Sequence, residues 1–162
     1  MRLPFVVVGT LATLLGAAGS THAQTATQIV RIQVNAINQL AVSGSPAPMI
    51  INTATAGSAP SPVTVSGTSY AVTTNESNKK ISASVDQALP AGVLLEVTLD
   101  APDGASSAGA VALNTAAADV VTGISSISAS SLPITYRLSA TADVQMNAPQ
   151  TRTITFTIVS GT

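Results

Sequence analysis

Glu96, Asp100 and Asp103 come nearest to a reactive constellation in this sequence. Glu96 and Asp100 are four residues apart, so an extended strand would carry both on one face, with Asp103 in the turn that follows. Paired carboxylates can hydrolyse glycosides. Asp100, Asp103 and the Gly104 carbonyl offer oxygen ligands of the kind calcium takes. Neither pattern is specific. The spacing is not that of an EF-hand loop, Asp-Gly is a common turn pair, and no Trp is present to stack a sugar ring. Solvated charge on an exposed strand face and in a turn accounts for all three acids, so no catalytic, cofactor-binding or metal residue is assigned.

Other chemistry falls by elimination. The single His is His22, inside the N-terminal leader, and there is no Cys. Nucleophilic triads need a base that titrates near neutrality, and zinc, copper and non-haem iron sites draw on His and Cys. No Gly-rich loop precedes a helix to cradle phosphate. The expectation is a protein that is not an enzyme and holds no cofactor. Asn75-Glu76-Ser77 matches a glycosylation sequon but reads as turn chemistry. Lys79-Lys80 reads as a pair of gatekeepers against edge pairing.

The elements that carry these residues begin after a leader. Arg2, an apolar run to about Ala18 and small residues ending Thr21-His22-Ala23 form a secretory signal over 1–23, cut after Ala23. The run is short for a spanning helix, which needs roughly 20 residues, and no second one follows. Residues 24–162 are expected to form one domain, secreted to the periplasm, cell surface or exterior, with no integral membrane segment after cleavage. Only 8% of residues are charged, against a usual ~25%. Without a basic patch, nucleic acid is not an expected partner. Ser and Thr supply the polar surface instead. A neutral hydroxyl surface repels its copies weakly, which suits packing against identical neighbours.

Period-2 alternation predicts the strands. Even-numbered Ile134 to Val144 point one way, and Ile154, Phe156 and Ile158 form a second inward row. Val93, Leu95, Val97 and Leu99 form a third, Ile81, Ala83 and Val85 a fourth, and Val30, Ile32 and Val34 a first row near the start. The phase slips between Asn35 and Asn38 before Leu40 and Val42, predicting a bulge or bend. Weaker strands are expected at Met49–Asn52, Val63–Val65 and Ser69–Thr74, and Tyr70 and Tyr136 sit at inward phase. Residues 105–110 read as a loop. Asn114 or Thr115 would cap one short helix over 115–121, ended by Gly123. About eight to ten short strands with turn residues between them predict an all-β, antiparallel two-sheet sandwich; a small barrel is the competing closure.

Strands near both ends invite exchange between copies, in which an extended segment adds to a neighbour's open edge. Val30, Ile32 and Val34 are the candidate assembly residues, and the bland alternative is that Gln28–Asn38 is simply the domain's own first strand. Self-association is the expected partnership. The other reading is a single-copy binding module for a glycan or a surface protein.

The segments SNKKISASVDQALPAG (77–92), SAGAVALNTAAADVVTGI (107–124) and LPITYRLSATADV (132–144) resemble those of small exported bacterial β-sandwich proteins, among them fimbrial and biofilm-fibre subunits. The resemblance covers most of residues 24–162 and implies an Ig-like or fimbrial-like sandwich acting as a structural or adhesive surface protein. The chain departs from chaperone-assembled pilins in having no cysteine pair, and from type IV pilins in lacking their N-terminal hydrophobic helix.

Overall fold

The structure, a computed structural model, describes residues 24–145 and 148–161. Residues 1–23, read from the sequence as a secretory signal, lie outside the described residues. The chain divides after Gln33, and every strand belongs to the unit that begins at Val34.

Among the described residues there are nine strands and no helix. They are β1 (Asn38–Ser43), β2 (Val63–Thr74), β3 (Lys79–Val85), β4 (Val93–Leu99), β5 (Ser106–Ser107), β6 (Val111–Ala112), β7 (Ala118–Ile124), β8 (Ile127–Ala140) and β9 (Ile154–Ser160). One sheet runs β1-β2-β8-β4-β6 and the other β5-β7-β3-β9. Every neighbouring pair is antiparallel. The arrangement is sandwich-like, because both sheets feed one apolar core. Tyr70, Val72, Leu95, Val97, Leu99, Ile134 and Tyr136 come from the first sheet, and Ile81, Ala83, Val85, Val120, Val121 and Ile124 from the second. The alternation that marks β3 and β4 in the sequence is thus the alternation of core and surface, and both tyrosines are core residues as expected.

Several expectations change. The helix over 115–121 does not form. Asn114 Oδ1 does accept a bond from Ala116 N at 2.7 Å, but it closes a turn. Residues 118–124 then enter β7 against β3. A one- or two-turn helix nucleates poorly, whereas Val120-Val121-Thr122 is β-branched and both valines are fully buried as strand. The strand expected at Met49–Asn52 does not form; Met49 packs against the core from an irregular stretch, and an isolated bridge between Ala54 and Pro60 follows it. The two weak strands after it are one, β2, with a register shift between Val65 and Thr68 where Gly67 takes φ +107°. Residues 105–110, read as a loop, contain the two-residue β5. β8 starts earlier and stops earlier than expected. The Ser-rich stretch from Ile127 pairs with β2, and the strand ends at Ala140, where Thr141 and Val144 close a turn instead.

Candidate functional site

The two sheets end very differently on their two sides. On one side the terminal strands are β5 and β6, two residues each, a length that offers little to an incoming chain. On the other side the terminal strands are β1 and β9, six and seven residues long, and they approach one another across the sheets. A long strand with one neighbour is a template for another strand.

Burial falls off towards this side. On β3, Ile81, Ala83 and Val85 are 0%, 1% and 3% exposed. Their register partners on β9 are Ile158, Phe156 and Ile154, all only half-buried. On the facing sheet Val72 and Tyr70 of β2 are sealed, while their partners on β1, Leu40 and Val42, are half-buried and exposed. The result is an apolar seam bordered by Leu40 and Val42 on one sheet and by Ile154, Phe156 and Ile158 on the other.

One end of the seam is closed by polar contacts. The Glu76 carboxylate accepts a bond from the Asn38 amide at the start of β1 and pairs with Lys79 Nζ at 2.9 Å. Lys79 Nζ also donates to Ser160 Oγ at 3.1 Å, at the end of β9. Asn38, Glu76, Lys79 and Ser160 therefore form a bridge from one terminal strand to the other. The Asn38 amide and the Lys79 ammonium hold the Glu76 carboxyl below its usual range. Gly161 N donates to Asn78 O at 2.6 Å, an approach that leaves no room for a side chain, since a Cβ there would lie 2.8 Å from the same oxygen.

Asn75 fixes the chain that enters β1. Its backbone N donates to Ile37 O at 3.2 Å, its side-chain Oδ1 accepts from Ile37 N at 2.8 Å, and its Nδ2 donates to Asn35 O at 2.8 Å. The sequon asparagine thus spends its amide on backbone, in keeping with its reading as turn chemistry.

Val30, Ile32 and Val34, the predicted assembly residues, are not in a strand: the first strand begins at Asn38. They are 70%, 92% and 80% exposed, and Ile29 is 92% exposed. The expectation that Gln28–Asn38 is the domain's own first strand is corrected accordingly. Alternation alone shows that a segment suits a sheet, and cannot say which sheet it joins.

The carboxylates are dispersed in role. Glu96 Oε2 is 2.6 Å from Arg137 Nη1, its cross-strand neighbour on β8. Asp100 follows the end of β4, and its backbone oxygen accepts the Tyr70 hydroxyl at 2.5 Å. Asp103 sits in the Pro102–Ala105 turn. Among the described residues no three acids, His or Cys gather in a way that could hold a metal ion. Lys79 and Lys80 are not edge gatekeepers, because β3 lies between β7 and β9; Lys80 pairs with Asp119 of β7 at 2.9 Å. Two shallow depressions, one lined by Ile37, Asn75 and Ile127 and the other by Val42, Tyr70 and Ser131, carry no charged side chain. Among the described residues no helix is long and apolar enough to cross a membrane.

Sequence reasoning placed the β9 row inward but missed its half-covered state, along with Leu40, Val42 and Asn75. Strand position within a sheet depends on contacts far apart in sequence, and no local pattern marks it. Compared with protein families, curated proteins and solved structures, the chain matches none.

Proposed function

We propose that this chain is a non-catalytic, exported subunit that assembles with copies of itself, the segment around Val30, Ile32 and Val34 of one copy completing the seam of the next. The observation that carries this reading is the half-covered row Ile154, Phe156 and Ile158 on a terminal strand. In a seven-strand immunoglobulin-type sandwich one sheet runs A-B-E-D and the other C-F-G. Taking β1, β2, β3, β4, β8 and β9 as A to F in chain order reproduces β1-β2-β8-β4 and β3-β9. The place of G is then beside β9, where the described residues put no strand.

The segment before β1 has the pattern that place requires. Val30, Ile32 and Val34 alternate with Arg31 and Gln33, so one face would meet the seam and the other water. Each such side chain contributes roughly 1.5–3 kcal/mol when fully buried, offset by ordering about 1–2 kcal/mol of backbone entropy per residue. Main-chain bonds along β9 add to the balance, as in other cases of strand addition. The low surface charge keeps repulsion between successive copies small. A fibre or adhesive layer at a cell surface is the use that suits such a subunit.

The test compares the chain from Gln24 onward with the triple variant Val30→Asp, Ile32→Asp, Val34→Asp. The parent should give a ladder of oligomers on an unheated denaturing gel and filaments by negative-stain microscopy. The variant should be monomeric and folded, melting where the parent's monomer fraction melts, because the three side chains are exposed within one copy, and below the assembled parent. A parent that stays monomeric at every concentration would reject assembly and favour a single-copy binding module.

A further inference from the structure

We infer that Asn75 acts as a lock on the root of the exchanging segment, keeping a copy from filling its own seam and so directing exchange between copies. This rests on the strand-exchange reading above and adds a residue to it.

β9 ends at Ser160, which meets Lys79; Lys79 meets Glu76, and Glu76 meets Asn38, the first residue of β1. The segment is therefore rooted at the end of the seam where β9 finishes. To lie in its own seam it would have to reverse at residues 35–37. It would then run antiparallel to β1 and parallel to β9, past the polar bridge.

Asn75 holds the stretch that would have to turn. The register of β1 with β2 finishes at Asn38 opposite Thr74. Asn75 carries the pairing further with two bonds to Ile37 and one to Asn35, at 3.2, 2.8 and 2.8 Å. Two of the three come from the side chain, which reaches along the entering chain where the β2 backbone has already turned away towards β3. A reversal at 35–37 breaks them and leaves the amide without its backbone partners. A segment arriving from a second copy breaks none of them and is free to align with β9 in either direction.

Asn75→Ala removes both side-chain bonds, and Asn75→Asp keeps the acceptor for Ile37 N while losing the donor to Asn35 O. Each is refolded beside the parent at equal concentration, and the products are separated by size. Hydrogen exchange of residues 28–34 is then read in the monomer fraction. Asn75→Ala should raise the ratio of monomer to oligomer about tenfold, the scale of two lost hydrogen bonds. Residues 28–34 should become protected within that monomer. Asn75→Asp should fall between Asn75→Ala and the parent, and it reports on the lock if Asn75→Ala fails to fold. If the parent assembles and either folded variant assembles equally, with 28–34 unprotected in its monomer, the lock is wrong and strand exchange stands. If the parent itself never assembles, strand exchange is wrong and the lock falls with it.

Discussion

Ala83 and Phe156 are register partners across β3 and β9, yet Ala83 is 1% exposed and Phe156 only half-buried. A one-strand step from the middle of the sheet to its end takes the core from sealed to open. In a complete sandwich a phenylalanine on the inner face is among the best-buried residues. Here the larger side chain is the less covered one, which sets the expected outcomes of mutation.

Phe156→Ala should destabilise the single copy by about 1–2 kcal/mol, well short of the ~3–5 kcal/mol typical of a fully buried Phe. Ile134→Ala, at a 0% exposed position, should lose about 2–5 kcal/mol. Urea unfolding of the monomeric triple arm variant measures both without interference from assembly. In the assembled parent, Phe156→Ala should in addition speed dissociation of the oligomers.

Acid should weaken the closed end of the seam. The Glu76 carboxyl is held below its ordinary value of 4.5, first by the Asn38 amide and then by Lys79. A carboxyl with a lowered folded-state pKa stabilises the fold above the unfolded value, and that stabilisation is lost as pH falls through the folded value. The melting temperature should therefore drop as pH falls below 4.5. Glu76→Gln should be less stable than the parent at neutral pH, with the difference shrinking on acidification. Asp143, held low by the Thr141 hydroxyl, acts in the same direction, so the variant keeps part of the acid dependence.

Tyr70 makes the opposite prediction at high pH. Burial, and then the Asp100 charge, push its phenol from 10.0 up to about 12. A raised folded pKa means stability that is complete below the unfolded value and is lost as pH rises through the folded one. An ultraviolet titration of phenolate should show Tyr70 ionising late, together with unfolding. Tyr70→Phe should shrink that late component to the share of Tyr136, whose phenol burial also pushes up, and reduce stability by about 0.5–1.5 kcal/mol, the scale of its bond to the Asp100 carbonyl.

The Glu96–Arg137 pair should matter little. The Arg137 side chain is 46% exposed, so water and salt screen the contact. A double-mutant cycle with Glu96→Gln and Arg137→Gln should give a coupling of about 0.2–1 kcal/mol that falls with added salt.

Much of the fold was legible because an antiparallel strand with one wet face writes its own alternation. β3, β4 and the inward row of β9 follow from it directly. Three things were hidden. The Ser-rich start of β8 has too few apolar residues to alternate visibly, and it is a strand because β2 pairs with it. The run Ala116–Val121 carries no period that separates a short helix from a strand, and burial of Val120 and Val121 against β3 decides the outcome. The seam was hidden as well. Residues 38–43 and 154–160 lie far apart in the chain, and only the sheet order makes both of them terminal. The row Val30, Ile32 and Val34 was legible as alternation, whereas its exposure and the hold of Asn75 on Asn35 and Ile37 required the folded chain.

The most direct test of strand exchange uses the absence of native cysteine. Arg31→Cys, on the outward face of the segment, is mixed with Thr155→Cys or Thr157→Cys on the outward face of β9, or with Thr153→Cys just before it, and refolded under mild oxidation. Neighbouring strands place same-face Cβ atoms close enough for a disulfide. At least one of the three pairs should give a heterodimeric disulfide, and Arg31→Cys with Ala112→Cys on β6 should give none. Cross-linking to β6 as efficient as to β9, or no cross-link at any β9 position in material that still forms oligomers, would contradict the account.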